Sequence, residues 1–83
     1  MNRILISETI EGKYNFALIN DVVGIEFSFE GKDDKSDLYK VTILTSTKEK
    51  HEHYTDKITS DYVREFKKLL INATENTLLE VRL

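Results

Sequence analysis

Val22-Val23-Gly24-Ile25-Glu26-Phe27-Ser28-Phe29-Glu30 carries the clearest period of two in the chain. Val23, Ile25, Phe27 and Phe29 fall on one side, and Val22, Gly24, Glu26, Ser28 and Glu30 on the other. Strict alternation of this kind is the mark of a half-buried β-strand, because successive side chains point to opposite faces. A slip of one residue would expose four large apolar side chains, so the register should be firmly held. Phe27 is expected near the centre of the core.

The same rhythm continues on both sides of this stretch. Upstream, residues 3–10 place Ile4, Ile6 and Ile10 against Arg3, Leu5 and Thr9. Residues 14–19 place Tyr14, Phe16 and Leu18 against Ala17 and Ile19. Downstream, Tyr39, Val41 and Ile43 alternate with Lys40, Thr42 and Leu44. Glu11-Gly12-Lys13 and Glu30-Gly31-Lys32 read as turns in which glycine supplies a positive φ. Lys32 to Asp37 then reads as a polar loop. Residues 48–55 are rich in Lys and Glu, which suits a protected edge hairpin.

The period changes after residue 58. Thr59 or Ser60 is a suitable N-cap, and Asp61 complements the positive end of a helix dipole. Tyr62, Val63, Phe66, Leu69, Leu70 and Ala73 recur at helical spacing, predicting one amphipathic helix over about 60–73. Thr77 to Leu83 returns to alternation, with Leu79, Val81 and Leu83 opposite Leu78, Glu80 and Arg82. The expected fold is α+β: a mostly antiparallel, curled sheet of five to six strands, one helix packed on one face, and a short C-terminal strand. Ala17, Ile19, Val22, Leu44 and Leu78 leave the second face patchily apolar. The run of hairpin strands with a late helix resembles the pleckstrin-homology-like roll. The rhythm of Phe16 to Phe27 followed by Tyr39 to Thr45 is similar to that of several small bacterial β-roll proteins. Neither likeness carries a functional residue over to this chain.

Composition narrows the function classes. The chain has 83 residues, 40% hydrophobic and 33% charged, which is ordinary globular composition for a single domain, 1–83. Cysteine is absent, so disulfide and thiol chemistry are excluded. No apolar run is long enough for a membrane span or a secretory core, which points to a cytoplasm. Nine Lys against three Arg, with many Ile and Asn, suggest a bacterial or phage origin with an AT-rich genome. A net charge of −3 argues against nonspecific binding to phosphate backbones. The triplet Asn72-Ala73-Thr74 matches the glycosylation pattern, but a cytoplasmic chain would not use it.

The candidate sites are few. His51 and His53 share a face on a strand and are the only metal-ligand candidates, with Glu49 and Asp56 nearby; no metal or cofactor is expected. Glu30, Asp33, Asp34 and Asp37 form an acidic cluster that lacks the mid-loop Gly and distal Glu of a calcium loop. Residues 1–37 carry eight acids against four cations, so a partner docking at Asp33, Asp34 and Asp37 should be basic. Arg64, Lys67 and Lys68 share a helix flank but are balanced by acids in the same segment. No phosphate-loop, dinucleotide-binding or nucleophile-elbow pattern occurs, so the chain is not expected to be an enzyme. The expected role is a protein-binding module, of the inhibitor, immunity or accessory kind. It would bind its own copy or a heterologous partner, with Leu78 on an edge strand as a contact. The alternative is a small β-roll that binds nucleic acid in regulation.

Overall fold

A computed structural model describes residues 2–33, 36–74 and 76–83. The strands are β1 (Arg3–Ile10), β2 (Lys13–Asn20), β3 (Val22–Asp33), β4 (Ser36–Thr45) and β5 (Lys50–Thr55). Helix α1 (Ser60–Ile71) and strand β6 (Leu78–Arg82) complete the α+β fold. The single curled sheet expected above is instead two separate sheets of three strands, ordered β2-β1-β6 and β3-β4-β5. The cause is the connection at Asp21. One residue, at a φ of 56°, separates Asn20 from Val22, which is too short for β2 and β3 to form a hairpin. The chain turns a corner there and enters the other sheet. Hydrogen bonds pin the corner from both sides, from Val22 N–H to the Asn2 carbonyl and from Ser46 N–H to the Asp21 carbonyl.

Turn chemistry sets the remaining registers. Glu11 and Gly12 both have positive φ, the signature of a two-residue hairpin turn that matches strand twist, and Ile10 pairs with Lys13 across it. Gly31, expected in a turn, instead lies inside β3, where the pairing with β4 shifts between Phe29 and Gly31. Strand pairing therefore runs out to Asp33 and Ser36, and the expected loop is much shorter. Strand β6 pairs parallel with β1, so the sheets are not purely antiparallel. This follows from the helix, which carries the chain back across the molecule before β6 begins.

The core lies between the two sheets. Ile4, Ile6, Ile19, Leu79 and Val81 face in from one sheet, and Tyr39, Val41 and Ile43 from the other. Strand β3 departs from its expected facing. A register shift between Val22 and Gly24 puts Val22 inside and leaves Val23 exposed. Beyond it Ile25 and Phe27 line the core only partly buried, and Phe29 emerges at the rim, edge-on to Tyr39 with ring centroids 5.5 Å apart. Phe27, expected near the centre of the core, meets the helix edge-on to Phe66 at 5.2 Å and is only partly buried.

The helix starts where the Thr59 hydroxyl accepts the Tyr62 N–H at 3.1 Å and ends at the Asn72 cap, close to the expected end. Val63 and Phe66 are buried, whereas Leu69, expected in the apolar stripe, faces solvent with Ile71. The helix bridges two sheet edges rather than covering a face. Phe66 packs on Phe27 of β3, and the Tyr62 hydroxyl donates to the Glu80 carbonyl of β6 at 3.5 Å.

Two substitutions separate core from rim. Ile43→Ala should cost about 2–5 kcal/mol, as truncation of an enclosed aliphatic side chain does, whereas Phe29→Ala should cost about 1 kcal/mol or less. Urea unfolding of both variants measures the difference, and equal losses would contradict the placement of Phe29 at the rim.

Candidate interaction surface

Pairing across the Glu11–Gly12 turn decides which side chains of the first sheet look outward. Ile19 lies opposite Ile4 and Ala17 opposite Ile6, so these positions share the inner face. Leu18 opposite Leu5, Phe16 opposite Ser7 and Tyr14 opposite Thr9 therefore share the outer face. On the far side of β1, Leu78 lies beside Arg3, Glu80 beside Leu5 and Arg82 beside Ser7. The apolar side chains on the outward face are thus Tyr14, Phe16, Leu18, Leu5 and Leu78. The inward-facing Ile19 and Val22, expected to contribute to that patch, belong to the core.

The β2 and Leu78 side chains of this face are open to solvent, while Ser7 between them is buried. Tyr14 and Phe16 are each 64% exposed, Leu18 51% and Leu78 44%. The Tyr14 and Phe16 rings lean together with centroids 5.0 Å apart, forming a ridge along β2. Apolar residues scattered singly on a surface are ordinary, but a contiguous column on one strand is the form taken by interaction sites. The β6 side of the face is polar. The Arg82 guanidinium approaches the Glu80 carboxylate at 3.5 Å, and Tyr62 reaches the Glu80 carbonyl at the rim. Burial pushes the Tyr62 hydroxyl above its ordinary value of 10.0, with the neighbouring Arg82 pulling the other way.

The other sequence candidates are dispersed. Leu78 stands on β6, an edge strand as expected, at the Arg3 end of β1. Asp33 and Asp37 sit on β3 and β4 beside the hairpin tip, not in a loop, and Asp34 lies outside the described residues. The neighbouring Leu38 borders a cleft with Thr9, Ile10 and Leu83 at the opposite end of β1. About 20 Å of strand thus separates Leu78 from the acidic tip, and the structure does not bring them into one site.

His51 and His53 lie on β5, the expected edge strand, opposite Ile43 and Val41, so both face the core side and are half-buried. Glu49 approaches His51 at 3.5 Å, and among the described residues no group of three His, Asp or Glu side chains converges on a point. Two of the helix cations are engaged along the helix itself, Arg64 with Asp61 at 3.1 Å and Lys68 with Glu65 at 3.3 Å. Among the described residues, no helix is long and apolar enough to cross a membrane. Comparisons with protein-family models, curated protein sequences and solved structures returned no match.

The exposed ridge was the feature sequence reasoning missed. Its signal is the two-residue turn, which pairs Lys13 with Ile10 and so forces Phe16 and Leu18 onto the side of Ser7 and Leu5.

Tyr62 gives a test of the rim geometry. Because its folded-state pKa is raised above 10.0, the stability linked to it is complete below pH 10.0 and lost as pH rises through the folded value. Stability should therefore fall less between neutral and strongly alkaline pH in Tyr62→Phe than in the parent. Identical alkaline losses in urea titrations would show that the hydroxyl is not held at a desolvated rim.

Proposed function

We propose that this chain is a small, non-enzymatic protein-binding module that works in the cytoplasm, as inhibitors, immunity proteins and accessory factors do. The observation that carries this reading is the solvent-facing column of Tyr14, Phe16 and Leu18, flanked by Leu5 on the same sheet face. Aromatic side chains supply large contact area at small entropic cost, and they are enriched at the centres of protein interfaces. Nothing in the fold requires such residues to face outward, since the core between the sheets is built from other positions.

A second reading rests on one specific feature of the same face. Tyr14 and Phe16 present exposed rings to which bases can stack, and Arg3 and Arg82 lie on that side of the sheet. Arg82, however, is engaged with Glu80, and the chain as a whole is acidic, so a groove that tracks a phosphate backbone lacks its cations.

Affinity capture from the native host with the parent and with Phe16→Lys tests the proposal. Phe16 is exposed, so the variant should fold with unchanged stability while losing the captured protein. A partner retained equally by both would move the site off this face. Retention on single-stranded DNA or RNA that falls steeply with salt and is lost in Tyr14→Ala would favour the nucleic-acid reading instead.

A further inference from the structure

The four edge strands of the two sheets are not equally protected. Strand β3 is interrupted by register shifts near both ends and carries Phe27 against the helix. Strand β5 alternates charge along its length, with Lys50 and Glu52 flanking its histidines. Strand β6 is short and meets Tyr62 of the helix at Glu80. These are the bulges, charges and covering elements by which natural sheets discourage edge-to-edge pairing. Strand β2 has no such bulge and little charge, and its Leu18–Asn20 end borders a cleft with Thr45, Thr47 and Glu49. It is eight residues long, pairs with β1 without a register shift, and carries Lys13 as its sole charge.

Its free edge and its apolar ridge belong to the same residues. The turn bond between Ile10 and Lys13 makes that pair the first hydrogen-bonded pair of the hairpin. Hydrogen-bonded and non-hydrogen-bonded pairs then alternate, so Asn15, Ala17 and Ile19 bond to β1, whereas Tyr14, Phe16 and Leu18 direct N–H and C=O away from it. A strand added at this edge bonds to the three residues whose side chains form the ridge.

We infer that the occupant is a second copy of this chain, with β2 pairing antiparallel to its own counterpart about a two-fold axis through Phe16. This deepens the protein-binding reading above and rests on it. A two-fold axis normal to the sheet keeps both outer faces on one side. It must also match free backbone groups with free backbone groups. The register centred on Phe16 satisfies both conditions, setting Phe16 against Phe16 of the second copy and Tyr14 against its Leu18, twice. Of the two neighbouring allowed registers, the one centred on Ala17 leaves Tyr14 opposite Asn20 and the one centred on Asn15 leaves Leu18 opposite Gly12, so each leaves one ridge residue without an apolar partner. Charge agrees, because Lys13 faces Ile19 rather than another Lys. Two ridges and two strand edges bury at most on the order of 1,000 Å² together, the lower bound for a specific interface. The dimer is therefore reversible and depends on concentration.

The absence of cysteine makes single-cysteine variants clean probes. In the Phe16-centred register Asn15 lies opposite Ala17 of the second copy in a non-hydrogen-bonded pair, with Cα atoms about 4.5 Å apart, within disulfide range. Under mild oxidation, Asn15→Cys mixed with Ala17→Cys should give a heterodimeric disulfide in clear excess over either variant alone. Sedimentation velocity from micromolar to millimolar protein should show the parent passing from monomer to dimer and Phe16→Lys remaining monomeric. A parent that stays monomeric throughout, or a dimer that survives Phe16→Lys, overturns the inference. A homodisulfide dominated by Ala17→Cys alone overturns the register. If the parent is monomeric while Phe16→Lys still loses a captured host protein, the self-pairing fails and the protein-binding reading stands.

Discussion

The two-residue turn at Glu11 and Gly12 pairs Ile10 with Lys13 and so assigns every later residue of β2 to a face of the sheet. Both residues sit in the left-handed region, where glycine is at ease and a hairpin acquires the twist its strands require. A turn longer by one residue would exchange the two faces of β2. Tyr14, Phe16 and Leu18 would then turn to the inner face, and Ile19, the buried residue of β2, would leave the core. The inside of the first sheet, its outward ridge and the backbone groups left at its free edge all descend from this one turn.

The second constraint is the corner at Asp21. With a single residue between β2 and β3, the chain changes sheets instead of adding a fourth strand to the first. That event produces two three-stranded layers and places Val22 in the core while Val23 faces solvent. It also keeps β2 an edge, because its successor in the sequence is committed to the other sheet. The helix then spans the β3 and β6 edges through Phe66 and Tyr62, so its apolar stripe is used to close a side of the sandwich and not to cover the ridge.

Most elements were legible from the sequence because each rests on a local signal. Alternation gave the strands, and the helix was visible in its spacing and in Thr59, which caps it. The late strand at Leu78–Arg82 and its edge position were also anticipated. What the alternation did not reveal was nonlocal. Period two says that Phe16 and Ile19 lie on opposite sides, but the inner side is chosen by the partner strand. The bulge at Val23 and the parallel placement of β6 beside β1 have the same origin in contacts distant along the chain. The candidate site was less legible than the fold. Leu78 faces solvent as its alternation implies, but the strength of alternation singles out Phe27 and Phe29, whereas the exposure of Tyr14 and Phe16 depends on the hairpin register.

Residue-resolved amide hydrogen exchange on β2 tests most directly whether this strand is a free edge that its own copy covers. In dilute protein the amides of Asn15, Ala17 and Ile19, bonded to β1, should exchange slowly, and those of Phe16 and Leu18 fast. In concentrated protein Phe16 and Leu18 should slow selectively, with Asn15, Ala17 and Ile19 little changed. Uniform slow exchange along β2 in dilute protein would show that the edge is already covered within one chain. An alternating pattern that does not change with concentration would contradict pairing between copies.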